Sequence, residues 1–192
     1  MKRTLFALLG FVVVVGFSGC RSKPHMDSDK TMFGYMQKEV AKITKKGGMA
    51  SVGIGESRST QMALAKAKVE ARKNLAQLVQ IKIENLEKSF KEEVGEAKGS
   101  EMNTVFSSAT KQITSQTLHG TVPEMQKYET NDGIVTAYVL MVLNPKLVDE
   151  SLRNNSAKHL YERFRASKAF EELDKEIKEY EEAQRKGMLN EM

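Results

Sequence analysis

IVTAYVLMVL, residues 134–143, is the stretch on which the fold turns. Val135, Ala137, Val139, Met141 and Leu143 fall on one face of an extended chain, and Ile134, Tyr138, Leu140 and Val142 on the other. β-branched and aromatic residues dominate it, which suits a pleated backbone. With both faces apolar it must be covered from both sides, so it is expected to be the central strand of a small sheet. Asn131-Asp132-Gly133 precedes it, and Asp-Gly between strand-like runs is a hairpin signal because both positions tolerate left-handed backbone. The partner strand is then 121–130, whose Glu124, Gln126, Lys127 and Glu129 suit an edge, where charge discourages stray pairing.

Upstream, MASVGIGES (49–57) alternates Ala50, Val52 and Ile54 with Ser51, Gly53 and Gly55. One face of this strand is apolar and the other nearly bare, which lets a helix or a second backbone approach closely. A long helix is expected from Ser59 or Thr60, both good N-caps, to about Glu93. Met62, Ala65, Val69, Ala76, Val79, Ile83, Leu86 and Phe90 recur along it at 3–4 spacing, with Leu64, Ala71, Leu75 and Leu78 in an adjacent lane. Glu84 with Lys88 and Glu87 with Lys91 form i,i+4 pairs in the favourable order. GEAKGS (95–100) reads as a break. A second helix follows, with Met102, Val105, Phe106, Ala109 and Ile113 inward, and ends at His119-Gly120. Before the first strand, residues 32–46 suit a short amphipathic helix through Met36, Val40 and Ile43.

Beyond the hairpin, Asn144-Pro145 stops the strand. A short helix (146–153) and a long charged one (157–186) are expected to finish the chain. Leu160, Tyr161, Phe164, Phe170, Leu173, Ile177 and Tyr180 make a stripe along the last helix, slipping near Ser167. Such a stripe needs a partner, either the helix's own domain or a neighbouring subunit. The expected fold is therefore α/β of the α+β type: long helices on a small, mostly antiparallel sheet, with an extended charged C-terminal helix. The chain divides into 1–19, 20–48, 49–153 and 154–192.

The first of these divisions carries the address. MKRTLFALLGFVVVVGFSGC has Lys2 and Arg3, then an apolar run from Leu5 to Phe17, then Ser18-Gly19 before Cys20. The run is 13 residues long, whereas a transmembrane helix needs roughly 20. That is the length of a signal-peptide core. The order fits a bacterial lipoprotein signal cut between Gly19 and Cys20, with Cys20 acylated. The third position before the cysteine holds Phe17 rather than the usual Leu. Arg21 follows, and in many bacteria a residue other than Asp there permits export to the outer membrane. Residues 21–31 (RSKPHMDSDKT) are polar and aperiodic and read as a tether.

Composition narrows the function classes. Net charge is +5 and falls to +3 once Lys2 and Arg3 are removed, with bases and acids interleaved, which is too weak to argue for nucleic acid, and no nucleic-acid partner is expected. Cys20 is the single cysteine, so the mature chain offers no thiol for disulfides, metals or catalysis. Gly53-Ile54-Gly55 lacks the third glycine of a dinucleotide fingerprint, with Arg58 at that position. His25, His119 and His159 stand in three unrelated settings without a ligand partner at helical spacing. Asp27-Ser28-Asp29 lies in the tether and supports no calcium loop. No catalytic set, metal site or cofactor site is expected.

With these features assembled, the signal ending at Cys20, the block STQMALAKAKVEARKNLAQLVQIKIENLEK (59–88) and LHGTVPEMQKYETNDGIVTAYVLMVLNPKLVDESL (118–152) together resemble the LPP-twenty family of outer-membrane lipoproteins. The family pattern falls on Ala63, Ala67 and Ala71 and on Tyr138-Val139-Leu140, and the resemblance covers roughly residues 50–150. It implies outer-membrane attachment and no catalytic residue; some similar proteins are flagellar envelope components that assemble into rings. The expected function is a non-enzymatic, lipid-anchored outer-membrane lipoprotein acting in envelope assembly or scaffolding. Its partners would be the membrane through the N-terminal lipid and a second copy or an envelope protein. The alternative is a periplasmic or surface module that binds a protein or a small apolar ligand, held between helices and sheet at the bare strand face.

Overall fold

The computed structural model describes residues 31–187. In chain order the elements are α1 (Met32–Thr44), β1 (Met49–Ser57), α2 (Thr60–Val94), α3 (Glu96–Gly120), β2 (Pro123–Asn131), β3 (Ile134–Leu143), α4 (Lys146–Asn155), α5 (Lys158–Arg165) and α6 (Lys168–Arg185). The three strands form one antiparallel sheet in the order β1-β3-β2. The apolar strand 134–143 is thus central, as its two-sided pattern requires. The hairpin turns at Asp132 (φ 47°) and Gly133 (φ 74°), the left-handed pair expected of Asp-Gly.

Helices cover both faces of the sheet. On one side Val135, Ala137, Val139, Met141 and Leu143 join α2 through Ala63, Ala67, Ala71, Leu75, Val79 and Ile83 in the larger core. On the other, Tyr138 and Leu140 meet Met36 and Ile43 of α1, Met125 of β2, and Tyr180 and Ala183 of α6. The fold is α+β, with long helices packed on a small antiparallel sheet.

The bare face of β1 sets how closely α2 lies. A Cβ on Gly53 would fall 2.2 Å from the Ala71 nitrogen and the Ala67 oxygen, and one on Gly55 would fall 2.3 Å from the Ala63 oxygen. Only glycine on the strand and alanine on the helix permit this contact. Ser51, third residue of that face, donates its hydroxyl to the Ala71 carbonyl at 2.7 Å. α2 also caps the open edge of β1: Asn74 Nδ2 donates to the Val52 carbonyl at 3.1 Å and Lys66 Nζ to the Glu56 carbonyl at 2.9 Å. Edge carbonyls left free would template pairing with another chain.

This approach corrects the expected helix lane. The first half of α2 buries Ala63, Ala67 and Ala71, while Met62, Ala65 and Val69 face solvent. The larger residues had the right period but the wrong face. From Ala76 onward the expected residues, Val79, Ile83, Leu86 and Phe90, are buried, where α3 replaces the sheet as the neighbour.

Two breaks also differ from expectation. Residues 95–100 are not a loop: Gly95 alone turns the chain at φ 82°, and α3 begins at Glu96. The expected helix over 157–186 is two helices, broken at Ala166-Ser167. Ser167 caps α6 by accepting from the Phe170 amide at 3.3 Å, while its own hydroxyl donates to the Phe164 carbonyl at 2.6 Å. The bend lets both phenylalanines point inward. Phe164 lies 5.9 Å from Phe90, 5.8 Å from Phe106 and 5.6 Å from Phe170, centroid to centroid and edge-on, which is favourable geometry for aromatic pairs. The C-terminal stripe therefore packs on its own domain, with Leu160, Phe164, Phe170, Leu173 and Ile177 in the larger core and Tyr180 in the smaller.

Candidate functional site

Gly19 and Cys20, the expected cleavage and lipidation positions, lie outside the described residues, as do His25 and Asp27-Ser28-Asp29. The described chain begins where the expected tether ends. Thr31 caps α1, its Oγ1 accepting from the Gly34 amide at 3.0 Å.

The other residues weighed for chemistry do not converge. His119 ends α3 and His159 sits in α5, both exposed. Among the described residues no group of three or more His, Cys, Asp or Glu could hold a metal ion, and no helix is long and apolar enough to cross a membrane. The face carrying Gly53 and Gly55 is filled by the backbone of α2. It has room for neither a phosphate nor an apolar ligand, so the strand face that suggested a ligand space is a packing surface.

An apolar groove does exist a few residues away. The turn from α1 to β1 passes beneath α6: Gly47 adopts φ 82°, and a Cβ there would fall 2.2 Å from the Glu176 carbonyl oxygen. Just beyond this turn, Val40, Met49, Leu78 and Ile81 line a groove of about 370 Å³, with Lys82, Asn85 and Glu176 at its polar end. Leu78 and Ile81 are 41% and 53% exposed. They lie on the sheet-facing side of α2, past the point where β1 begins, so no strand covers them. Lys82 Nζ stands 2.7 Å from Glu176 Oε1 and ties α2 to α6 there. The sequence reading placed Leu78 in a core lane and passed over Ile81, Lys82 and Glu176. The last two are 94 positions apart, and no local pattern joins them.

A second groove, about 600 Å³, runs between α2 and α3 and is polar, with Gln80 and Glu84 on one wall and Ser107, Thr110, Lys111 and Thr114 on the other. Near its end Arg72 Nη2 donates to the Thr121 carbonyl at 3.0 Å, closing the C-terminus of α3. Cations at that end of a helix are favoured by its dipole.

Tyrosines tie the periphery to the core. Burial, then its hydrogen bond to the Glu129 carboxylate, pushes Tyr138 up to about 12. Burial and the bond to Asp149 do the same for Tyr161, again to about 12. Burial raises Tyr180, with Glu124 adding to the effect. Burial favours the protonated form of all three, and the hydroxyls of Tyr138 and Tyr161 donate to carboxylates.

Comparison with protein-family models, with curated proteins and with solved structures finds no match to this chain.

Proposed function

We propose that this chain is a non-enzymatic lipoprotein of the bacterial outer membrane, anchored through acylated Cys20 and acting in envelope assembly or scaffolding. The observation that carries the reading is the order of Lys2-Arg3, the apolar run Leu5–Phe17 and Ser18-Gly19-Cys20. The likeness to LPP-twenty lipoproteins supports it. Acyl chains contribute about 0.8 kcal/mol per buried CH₂, and more than one chain makes attachment lasting. Thr31, which caps α1 of the α+β domain, follows the anchor by eleven residues. Because the C-terminal stripe is used internally, any assembly contact belongs to other surfaces. A C-terminal fluorescent fusion locates that assembly: foci at flagellar bases favour a part in the motor envelope, and a uniform rim points to general envelope architecture.

Labelling with radioactive palmitate followed by membrane fractionation tests the anchor. The wild-type chain is expected to take up label and to sediment with outer membranes, and Cys20→Ser to take up none and to keep its signal segment. Label persisting in Cys20→Ser overturns the reading.

A second reading, a binding module, is favoured by the groove lined by Val40, Met49, Leu78 and Ile81. Its volume lies at the lower end of the roughly 300–1,000 Å³ usual for small-ligand sites. Thermal-shift screening with apolar ligands tests it. A ligand whose stabilisation disappears in Ile81→Asp puts this reading ahead.

A further inference from the structure

α1 enters β1 through the short turn at Lys45–Gly48, and β1 enters α2 through Arg58. Both helices therefore run antiparallel to β1, on opposite faces of the sheet, and both begin at its C-terminal end. Five of the large apolar side chains that remain exposed are gathered there. They are Phe33 and Tyr35 in the first turn of α1, Ile54 late in β1, Met62 in the first turn of α2, and Ile134 at the paired start of β3, each between 38% and 54% exposed. Arg58 is exposed between β1 and α2, and the Lys66 ammonium reaches the same end, on the Glu56 carbonyl. Neither helix opens with an acidic residue in its first turn. Glu56, Glu129 and Asp132 are the acids nearby, and Glu129 is held by the Tyr138 hydroxyl.

The chain leading to Cys20 joins the domain at this same end, because Thr31 caps α1. Eleven residues reach at most about 40 Å when fully extended. α2, at 35 residues, is about 50 Å long. A tether rooted here and shorter than the domain's long helix keeps this end within about 40 Å of the anchor, so it is the end best placed to meet the bilayer.

We infer that the end of the sheet bearing Phe33, Tyr35, Ile54, Met62 and Ile134 rests on the membrane surface. The apolar and aromatic side chains enter the headgroup boundary of the leaflet that carries the anchor, while Arg58 and Lys66 meet lipid phosphates. Aromatic residues favour this interfacial depth, and basic residues add attraction to anionic lipid. The inference rests on the lipid-anchor reading and adds an orientation to it: the groove at Leu78 and Ile81, lying toward the opposite end of β1, faces away from the bilayer and stays open to a partner.

The test uses the acylated chain in vesicles of phosphatidylethanolamine and phosphatidylglycerol. Acylation leaves Cys20 unreactive, so single variants Phe33→Cys, Met62→Cys and Ile134→Cys, with Lys111→Cys and Lys175→Cys as controls, each carry one thiol-coupled fluorophore. Brominated lipid is expected to quench the first three and to leave the controls bright. Circular dichroism checks that each variant keeps its fold. Mass spectrometry of the same samples reads the acyl group separately. Acylated chains in which sites 33, 62 and 134 are no more quenched than the controls overturn this inference and leave the anchor standing. Chains found without an acyl group overturn both.

Discussion

Ser51 of β1 donates its hydroxyl to the Ala71 carbonyl of α2, 2.7 Å away. Gly53 lies beside it against the Ala67 oxygen and the Ala71 nitrogen. Gly53→Ala must push the helix off the strand, and we expect it to destabilise the domain by about 3 kcal/mol, the upper end of overpacking costs. Gly133→Ala, in open space at φ 74°, should lose only about 1 kcal/mol for the left-handed conformation. Urea unfolding followed by circular dichroism compares them, and equal losses would show that the close approach is not what holds α2 in place.

Phe164 is fully buried and touches rings from α2, α3 and α6. Phe164→Ala should cost about 3–5 kcal/mol, as large aromatic deletions in a tight core do. Phe33→Ala, at a site 40% exposed, should stay within about 0.5 kcal/mol in solution. A small loss at Phe164 would mean that α5 and α6 are not part of the same cooperative unit as the sheet.

Lys82 and Glu176 pair at 2.7 Å, with side chains 20% and 36% exposed. Partial exposure limits the pair to about 1 kcal/mol, and salt should screen most of that. Lys82→Ala, Glu176→Ala and the double variant are expected to be nearly equal in stability at low salt, because either change already removes the interaction. Additive losses would place the two side chains in separate roles.

The tyrosines predict a change at high pH. Tyr138 and Tyr161 are each raised from 10 to about 12 in the fold. Between those values the unfolded chain gives up protons that the folded chain keeps, so stability falls as pH rises. This contribution is fully present below pH 10 and gone once pH passes about 12. Absorbance titration of the phenolate should show late-ionising tyrosines, and Tyr138→Phe with Tyr161→Phe should remove two of them, leave Tyr180, and make the fall shallower. Loss of stability with the same slope in the double variant would assign the effect to other groups.

Much of the fold is legible along the chain, where burial repeats with a short period. The two-sided run 134–143, the Asp-Gly turn, the extent of α2 and the inward face of α3 all appear in the structure as their patterns require. The failures occur where neighbours compete. Met62 and Val69 are larger than Ala63 and Ala67 and share their spacing, yet the glycines of β1 leave space only for alanine methyls. The break at Ser167 contains neither Gly nor Pro; it exists because Phe164 and Phe170 both have to reach one core. For the candidate site, Leu78 was visible as an apolar residue on α2, but no periodicity says that β1 begins too late to cover it.

The sequence by itself determined the central strand, the hairpin and the helical character of the rest, because these depend on residues within a few positions of one another. Tertiary structure alone decided which face of α2 is buried, where the C-terminal stripe goes, and that Lys82 and Glu176 meet beside an open apolar groove. Those outcomes depend on how closely two distant backbones can approach, and the side chains that set that distance lie on different elements.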